Sequence, residues 1–296
     1  MPPHMLYERS ERNLNSTEKW ADLHIHTVKS DGSDTVEEIF NHAKREGLQA
    51  IAITDHDTLA AVPEGREMEK KYGVEYVAGV ELSAMHDAKE VHIVGLYVDP
   101  ENKHFQDMLS YFQKRRAERA EKIIRKLKEQ GLRIEYEELY EITENMNNAG
   151  RLHIAKLLVK KNLALSIKDA FNKYLSEGRP AYVEKAKLTV KEAVDIIREV
   201  DGISVLAHPS LLDRDELIEG WKAIGLDGIE AFHPDHSYED MIRYLDIAGR
   251  FGLLVSGGSD CHGTAKDYTR IGKIKLPYAY FEKIKEARKK RNGAKI

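Results

Sequence analysis

His24 and His26 stand two residues apart at the end of the apolar run Trp20–Leu23. Side chains at i and i+2 of a strand project from one face, and paired imidazoles on one face suit a transition metal. Two more segments place imidazoles and carboxylates at the ends of apolar runs. Thr54-Asp55-His56-Asp57 follows the run AIAI, and Gly258-Ser259-Asp260-Cys261-His262 follows LLVSG. Asp31, Glu81, His92 and His208 complete a set of nine nitrogen and oxygen donors with His24, His26, His56, Asp260 and His262. Mixed imidazole–carboxylate sets accept divalent ions such as Mn²⁺, Fe²⁺ or Zn²⁺. A lone histidine is ordinarily a core or surface residue with a satisfied hydrogen bond. Six of the 13 histidines at or near strand ends argue for a metal centre instead.

The elements that must position these donors alternate. The apolar runs Ala50–Thr54, Tyr76–Leu82 and Val91–Val98 read as strands after Trp20–Leu23, with intervening helices. Thr35-Val-Glu-Glu38 is a capping-box pattern opening the first helix, and Gly47 stops it. From Phe105 to Ser176 there is neither a convincing strand nor a proline. Helices are predicted over Phe105–Gln130, Tyr136–Glu144, Leu152–Lys161 and Ile167–Leu175. Glu177-Gly-Arg-Pro180 reads as the return linker. The rhythm then resumes with a helix over Thr189–Val200 and strands at Ile203–Ala207, Leu226–Phe232 and Leu253–Ser256. Strand–helix–strand units with right-handed crossovers imply a parallel sheet. The polar residues at strand C-termini match the active-site end of parallel-barrel enzymes. The expectation is a seven-stranded α/β barrel interrupted by an all-helical insertion. Its predicted divisions are a lead-in at 1–19, barrel at 20–100, insertion at 101–185 and barrel again at 186–296.

Composition narrows the function classes. Of the 296 residues 42% are hydrophobic and 32% charged, as in a packed globular protein. No run approaches the roughly 18 apolar residues of a membrane span, and the first residues lack the apolar stretch of a secretory signal. One cysteine, Cys261, excludes an internal disulfide and fits a reducing cytoplasm. The net charge of −4 argues against bulk nucleic-acid coating but hides an asymmetry. Residues 101–188 hold 19 Lys/Arg and 13 Asp/Glu (+6), leaving 27 and 37 (−10) for the rest. The acidic part holds the candidate ligands, and the basic part suits an anionic substrate.

Within the basic segment, Arg116 and Arg119 are three apart on the long helix and share a face. Arg151 and His153 open another helix, where free backbone N–H groups favour phosphate. Such a group suggests a second anionic site remote from the reacting one. The plainer reading is surface arginines paired with Glu118 and Glu121.

The chain resembles the PHP (polymerase and histidinol phosphatase) phosphoesterases. The shared features are His24-x-His26, Asp31-Gly32, Thr54-Asp55-His56-Asp57, Gly79-Val-Glu81, Glu90-Val-His92-Ile-Val-Gly95, Ala207-His208-Pro209 and Gly258-Ser-Asp-x-His262. They span nearly the whole chain. The resemblance implies a distorted seven-stranded barrel of PHP type with three divalent ions, Mn²⁺ foremost and Fe²⁺, Zn²⁺ or Mg²⁺ as alternatives. It implies His24, His26, Glu81 and Asp260 on the first ion. Glu81 would bridge to a second held by His92 and His208, with Asp31, His56 and His262 on a third. A hydroxide bridging two ions would attack phosphorus in line, Asp260 would take part in catalysis as well as ligation, and His236 is the candidate proton donor to the leaving oxygen.

The insert and its arginines resemble the subfamily that removes the 3′-phosphate of nucleoside 3′,5′-bisphosphates, some relatives being 5′-to-3′ exonucleases on short RNA. Arg116, Arg119, Arg151 and His153 would then bind the substrate, with the arginines on the non-scissile 5′-phosphate. Ser210-Leu211 depart from the Gly-Arg that follows Ala-His-Pro in some relatives. The partner expected is a phosphorylated small molecule or short RNA, with no membrane and no obligate protein. The alternatives are a monophosphate phosphatase of histidinol-phosphate type and a non-catalytic metal-binding module.

Overall fold

Apolar residues on both faces of AIAI and ISVL leave no room for solvent on either side, and each of these strands is wholly buried. The computed structural model describes residues 18–87, 89–143, 146, 149–184, 188–265 and 270–293. Most of the expected lead-in and the boundary at 185/186 therefore lie outside the described residues. The strands are β1 (Trp20–Ile25), β2 (Ala50–Ile53), β3 (Glu75–His86) and β4 (Lys89–Leu96), then β5 (Ile203–Leu206), β6 (Gly228–Phe232), β7 (Leu254–Gly257) and β8 (Leu276–Pro277). They form one sheet in the order β7-β6-β5-β4-β3-β2-β1-β8. The sheet curls into a nearly closed barrel: past β7, Cys261 pairs with Ile25 of β1, and His26 N–H donates to Cys261 O at 2.9 Å.

Two expectations need correction. The sheet is mixed, because β4 runs antiparallel to both β3 and β5. Two residues separate β3 from β4, far too few for a crossover, so the chain can only turn back as a hairpin. His92 therefore lies near the start of β4, opposite Ser83, and still reaches the end of the barrel where the other strands finish. The sheet also has eight strands rather than seven. The eighth is two residues long and antiparallel to β1, too short to show any periodicity.

Helix α1 (Val36–Arg45) starts where expected, with Thr35 and Glu38 closing a reciprocal capping box. It packs with α2 (Val62–Tyr72) over β1–β3 through Ile39, Phe40, Val62 and Tyr76. The opposite side of the sheet, including Ala21, Leu23, Ala52, Val77 and Val205, packs on Phe281 and Ile284 of the last helix (Tyr278–Gly293).

Between β4 and β5 the described residues contain no strand. Helix α3 (Lys103–Glu129) leads to a 3₁₀ turn at Tyr136–Glu141, α4 (Arg151–Lys160), and a short helix at Ile167–Ala170 that ends in a π turn. Ile123, Leu127, Leu139, Ile154, Leu157, Leu158 and Leu175 form a buried cluster separate from those of the barrel. Phe281 is fully buried, so Phe281→Ala is expected to lower unfolding free energy by about 3–5 kcal/mol. Urea unfolding followed by circular dichroism measures the loss.

Candidate metal centre

The fold brings all nine expected donors together, Glu81 and His92 from within β3 and β4 and the others from β1 and from segments that follow strands. His24 Nε2 and His26 Nε2 lie 3.1 Å apart. Glu81 Oε2 is 3.5 and 3.2 Å from them, and Asp260 Oδ1 is 3.4 and 3.2 Å away. Donors about 2.1 Å from one ion stand roughly 3.0–3.4 Å apart, so this spacing fits a shared cation. The other oxygen of Glu81 lies 2.8 Å from His92 Nδ1 and 3.3 Å from His208 Nε2. Asp31 meets His262 Nε2 at 3.3 Å and His56 Nε2 at 3.8 Å. His56 Nδ1 also sits 3.1 Å from Glu81 Oε2, so His56 stands between the Glu81 and Asp31 groups.

The electrostatics fit positive charge. Burial opposes protonation of His26 and His92, yet Asp260 and Glu81 on the first, and Glu81 and Glu90 on the second, raise each pKa to about 9. His24 is raised well above its ordinary value against the same burial cost, by Glu230, Glu81 and Asp260. Burial also works against charge on Asp31 and Glu81, but the surrounding imidazoles hold both well below the carboxylate range. Burial dominates at His56, whose pKa falls to about 3. Carboxylates that can pull protons onto three rings can equally hold divalent ions among them. The donor chemistry and spacing fit such ions.

Several supporting roles escaped the sequence reading. Glu230 on β6 accepts from His24 Nδ1–H at 2.9 Å and from His208 N–H at 2.7 Å, which aims His24 Nε2 at the site. Asp22 accepts from the backbone N–H of Ser259, at 2.8 Å, and burial pushes its pKa up to about 6. Asp55 takes Thr27 N–H and Oγ1–H and the Ser30 hydroxyl, steadying the loop that carries Asp31. Acidic residues inside otherwise apolar strands were the available signal for Asp22 and Glu230. His208 and Asp260 both take left-handed backbone conformations, with φ 30° and 47°.

His236 stands one ring further out, its centroid 5.3 Å from that of His233. Its Nδ1–H donates to Ala231 O at 3.0 Å, which leaves a lone pair on a buried Nε2. Burial lowers its pKa to about 4. In this arrangement it accepts rather than donates, which opposes the expected proton-donor role.

Arg116 and Arg151 contact residues adjacent to the candidate donors. Arg116 pairs with Asp57, and Gln113 Nε2–H donates to Asp57 O at 2.9 Å. Arg151 contacts Glu90 at 3.1 Å, and Glu90 also meets His92 Nε2 at 3.1 Å. Arg119 donates to Val183 O at 2.8 Å, and burial with neighbouring Arg151 and Arg116 lowers its pKa to about 10. Only Arg115 forms the surface pairing with Glu118. His153 is buried, and its Nδ1 accepts from Gly150 N–H at 3.2 Å, so its neutral ring carries Nε2–H. Lys156 donates to Asp31 O at 3.3 Å, tying the insert to a ligand loop.

The family model described as the PHP domain matches residues 22–199. This chain belongs to the PHP domain family. Over 85% of the chain this PHP protein is 31% identical to phosphoribosyl 1,2-cyclic phosphate 1,2-diphosphodiesterase of Eggerthella lenta, covering 97% of that relative. It is also 31% identical to 3′,5′-nucleoside bisphosphate phosphatase of Chromobacterium violaceum over 85% of the chain and 90% of the relative. With the 5′-3′ exoribonuclease Rnm of Salmonella typhimurium it shares 32% identity over 81% of the chain and 84% of the relative. A solved structure from Bifidobacterium adolescentis, described as a metal-dependent phosphoesterase, superposes with a TM-score of 0.84 at 30% identity, covering 92% of this chain and 97% of that one. The PHP protein is an enzyme, a metal-dependent phosphoric ester hydrolase. No helix among its described residues is long and apolar enough to cross a membrane.

Glu230→Gln keeps the shape at His24 but removes the carboxylate. It is expected to weaken metal binding by about 10–100-fold, measured by metal titration with elemental analysis. His153 gives a pH dependence. Its folded pKa is lowered from 6.5 to about 4, with burial the largest cause. Above pH 6.5 the ring is neutral in both states. Between 6.5 and about 4 only the unfolded chain takes the proton, so stability falls as pH drops, by up to about 3 kcal/mol. His153→Gln flattens that slope in urea unfolding at pH 7 and 4.5.

Proposed function

We propose that this enzyme removes the 3′-phosphate of nucleoside 3′,5′-bisphosphates and acts at the same site on the 5′ ends of short RNA. The observation that carries this reading is the gathering of Arg116, Arg119 and Arg151 beside the donor cluster. Asp57 and Glu90 balance two of these guanidiniums, while the charge of Arg119 lies against two others. A second phosphate on the substrate would relieve that excess. The relatives' names, a nucleoside bisphosphate and a phosphoribosyl cyclic phosphate, both describe substrates with two phosphate positions.

His24, His26, Glu81 and Asp260 would hold one divalent ion, Glu81 with His92 and His208 a second, and Asp31, His56 and His262 a third. Mn²⁺ is our first assignment. When bound, the ions neutralise phosphate charge and lower the pKa of water at neutral pH. Glu230, Asp22 and Asp55 keep the donors oriented. Asp57 and Glu90 orient Arg116 and Arg151, and the N–H at His153 Nε2 is available to a phosphate oxygen. A cavity of about 200 Å³ beside His92 and His208, bordered by Leu206, Leu211 and Leu212, suits the uncharged part of the substrate. We assign the helical insertion to residues 101–185 and the enzyme to the cytoplasm.

The test is hydrolysis, with Mn²⁺ present, of adenosine 3′,5′-bisphosphate, adenosine 3′-monophosphate, 5′-phosphorylated di- to pentanucleotides, phosphoribosyl 1,2-cyclic phosphate and histidinol phosphate. The products (inorganic phosphate from the monoesters, nucleoside 5′-monophosphates from the oligonucleotides) are separated by ion-exchange chromatography. The bisphosphate or the oligonucleotides are expected to turn over fastest. Fastest turnover of the cyclic phosphate or histidinol phosphate overturns the assignment. Arg119→Ala is expected to raise KM for the bisphosphate by about 10–100-fold and leave KM for the 3′-monophosphate nearly unchanged.

A further inference from the structure

His233 follows β6 directly and is 2% exposed. Its Nδ1 accepts the backbone N–H of Asp235 at 3.2 Å. That bond fixes the ring's tautomer, because a nitrogen that accepts cannot carry the proton of a neutral imidazole. The Asp235 carboxylate is 3.9 Å from the same nitrogen, too far to compete. The proton therefore sits on Nε2, which is buried and has no hydrogen-bond partner.

An orphaned buried donor is costly and rare, and this one is aimed at the reaction centre. Nε2 lies 3.7 Å from Asp260 Oδ2, beyond hydrogen-bond range. The rings of His208 and His24 stand 5.4 and 6.3 Å away, and His236 packs behind at 5.3 Å. Ligation of an ion through Nε2 would move the proton to Nδ1, against the Asp235 N–H. The arrangement suits a hydrogen bond to a ligand oxygen beside Asp260.

We propose that His233 is a catalytic hydrogen-bond donor, its Nε2–H binding an oxygen of the phosphoryl group under attack. The inference rests on the phosphoesterase site but on no particular leaving group. It adds a neutral donor to a place where charge on oxygen grows, and such donors act more strongly in a site closed to water.

Glutamine presents its amide N–H near the position of Nε2, whereas asparagine is too short and leucine has no donor. The Mn²⁺-loaded enzyme is assayed on whichever phosphoester the wild type hydrolyses fastest, with inorganic phosphate binding followed by calorimetry and metal content by elemental analysis. His233→Leu and His233→Asn are expected to lose kcat/KM on the order of 100-fold and to bind phosphate about tenfold more weakly. His233→Gln stays within about fivefold of wild type in both, and all variants keep wild-type metal content. A fall in metal content in His233→Gln makes His233 a ligand and overturns the proposal. So do a glutamine variant as impaired as asparagine, or a leucine variant as active as wild type. None of these outcomes depends on which substrate of the panel is preferred.

Discussion

Glu81 is a buried carboxylate facing five imidazoles, those of His24, His26, His56, His92 and His208, at 2.8–3.5 Å. Burying one unpaired charge is costly, and a carboxylate among neutral rings would ordinarily take up a proton. Here the rings hold Glu81 ionised, and the affinities of His24, His26 and His92 for protons rise in turn, while burial lowers those of His56 and His208. The centre is thus a mutually charged unit whose donors suit cations placed among them. Its pairing also fixes relative strand positions, since Glu81 on β3 must face β1, β4 and the end of β5 at once.

That requirement explains the seam between β7 and β1. A Cβ at Gly258 would come within 2.4 Å of His24 N, so any larger residue pushes the exit of β7 away from the histidine pair. Asp22 bonds across the same seam to Ser259 N–H, and at the next residue the chain presents Asp260 in a left-handed conformation. Side chains that normally avoid such backbone are held there by packing on both sides.

The residues that gather as candidate donors and most strands were legible in the sequence because apolar runs end in chemically distinct residues. His24-x-His26 works as a local signal because two residues of extended chain separate the rings, and their Nε2 atoms meet at 3.1 Å although the register of β1 shifts between Asp22 and Ile25. The direction of β4 was not legible from periodicity, although the shortness of the segment before Lys89 contained it. Leu276–Pro277 carries no pattern at all, and its place in the sheet is set by Lys19 O accepting from Tyr278 N–H and by contacts of Phe281. The supporting carboxylates were missed for a common reason. Asp22 and Glu230 matter through hydrogen bonds to residues distant in sequence, and one-dimensional spacing cannot show those.

Under the proposed function, discrimination among phosphate esters would fall to the helices between β4 and β5 rather than to the barrel. Divalent ions bind any phosphoryl group and read nothing of what lies beyond it. The groups that could read it are Arg116, Arg119, Arg151 and His153, on α3, whose first half packs into the barrel core and whose second half joins the separate helical cluster, and on α4 of that cluster. These helices are nonetheless docked on the ligand loops through Gln113 and Arg116 on Asp57 and through Lys156 on Asp31 O. Glu90 joins the two parts most directly, since one carboxylate meets both Arg151 and His92. A substrate phosphate that draws Arg151 away from Glu90 would leave that carboxylate to His92 alone. Distal binding would then be felt at the metal ligands through a single side chain, so affinity for the remote phosphate and the chemistry at the near one are physically linked.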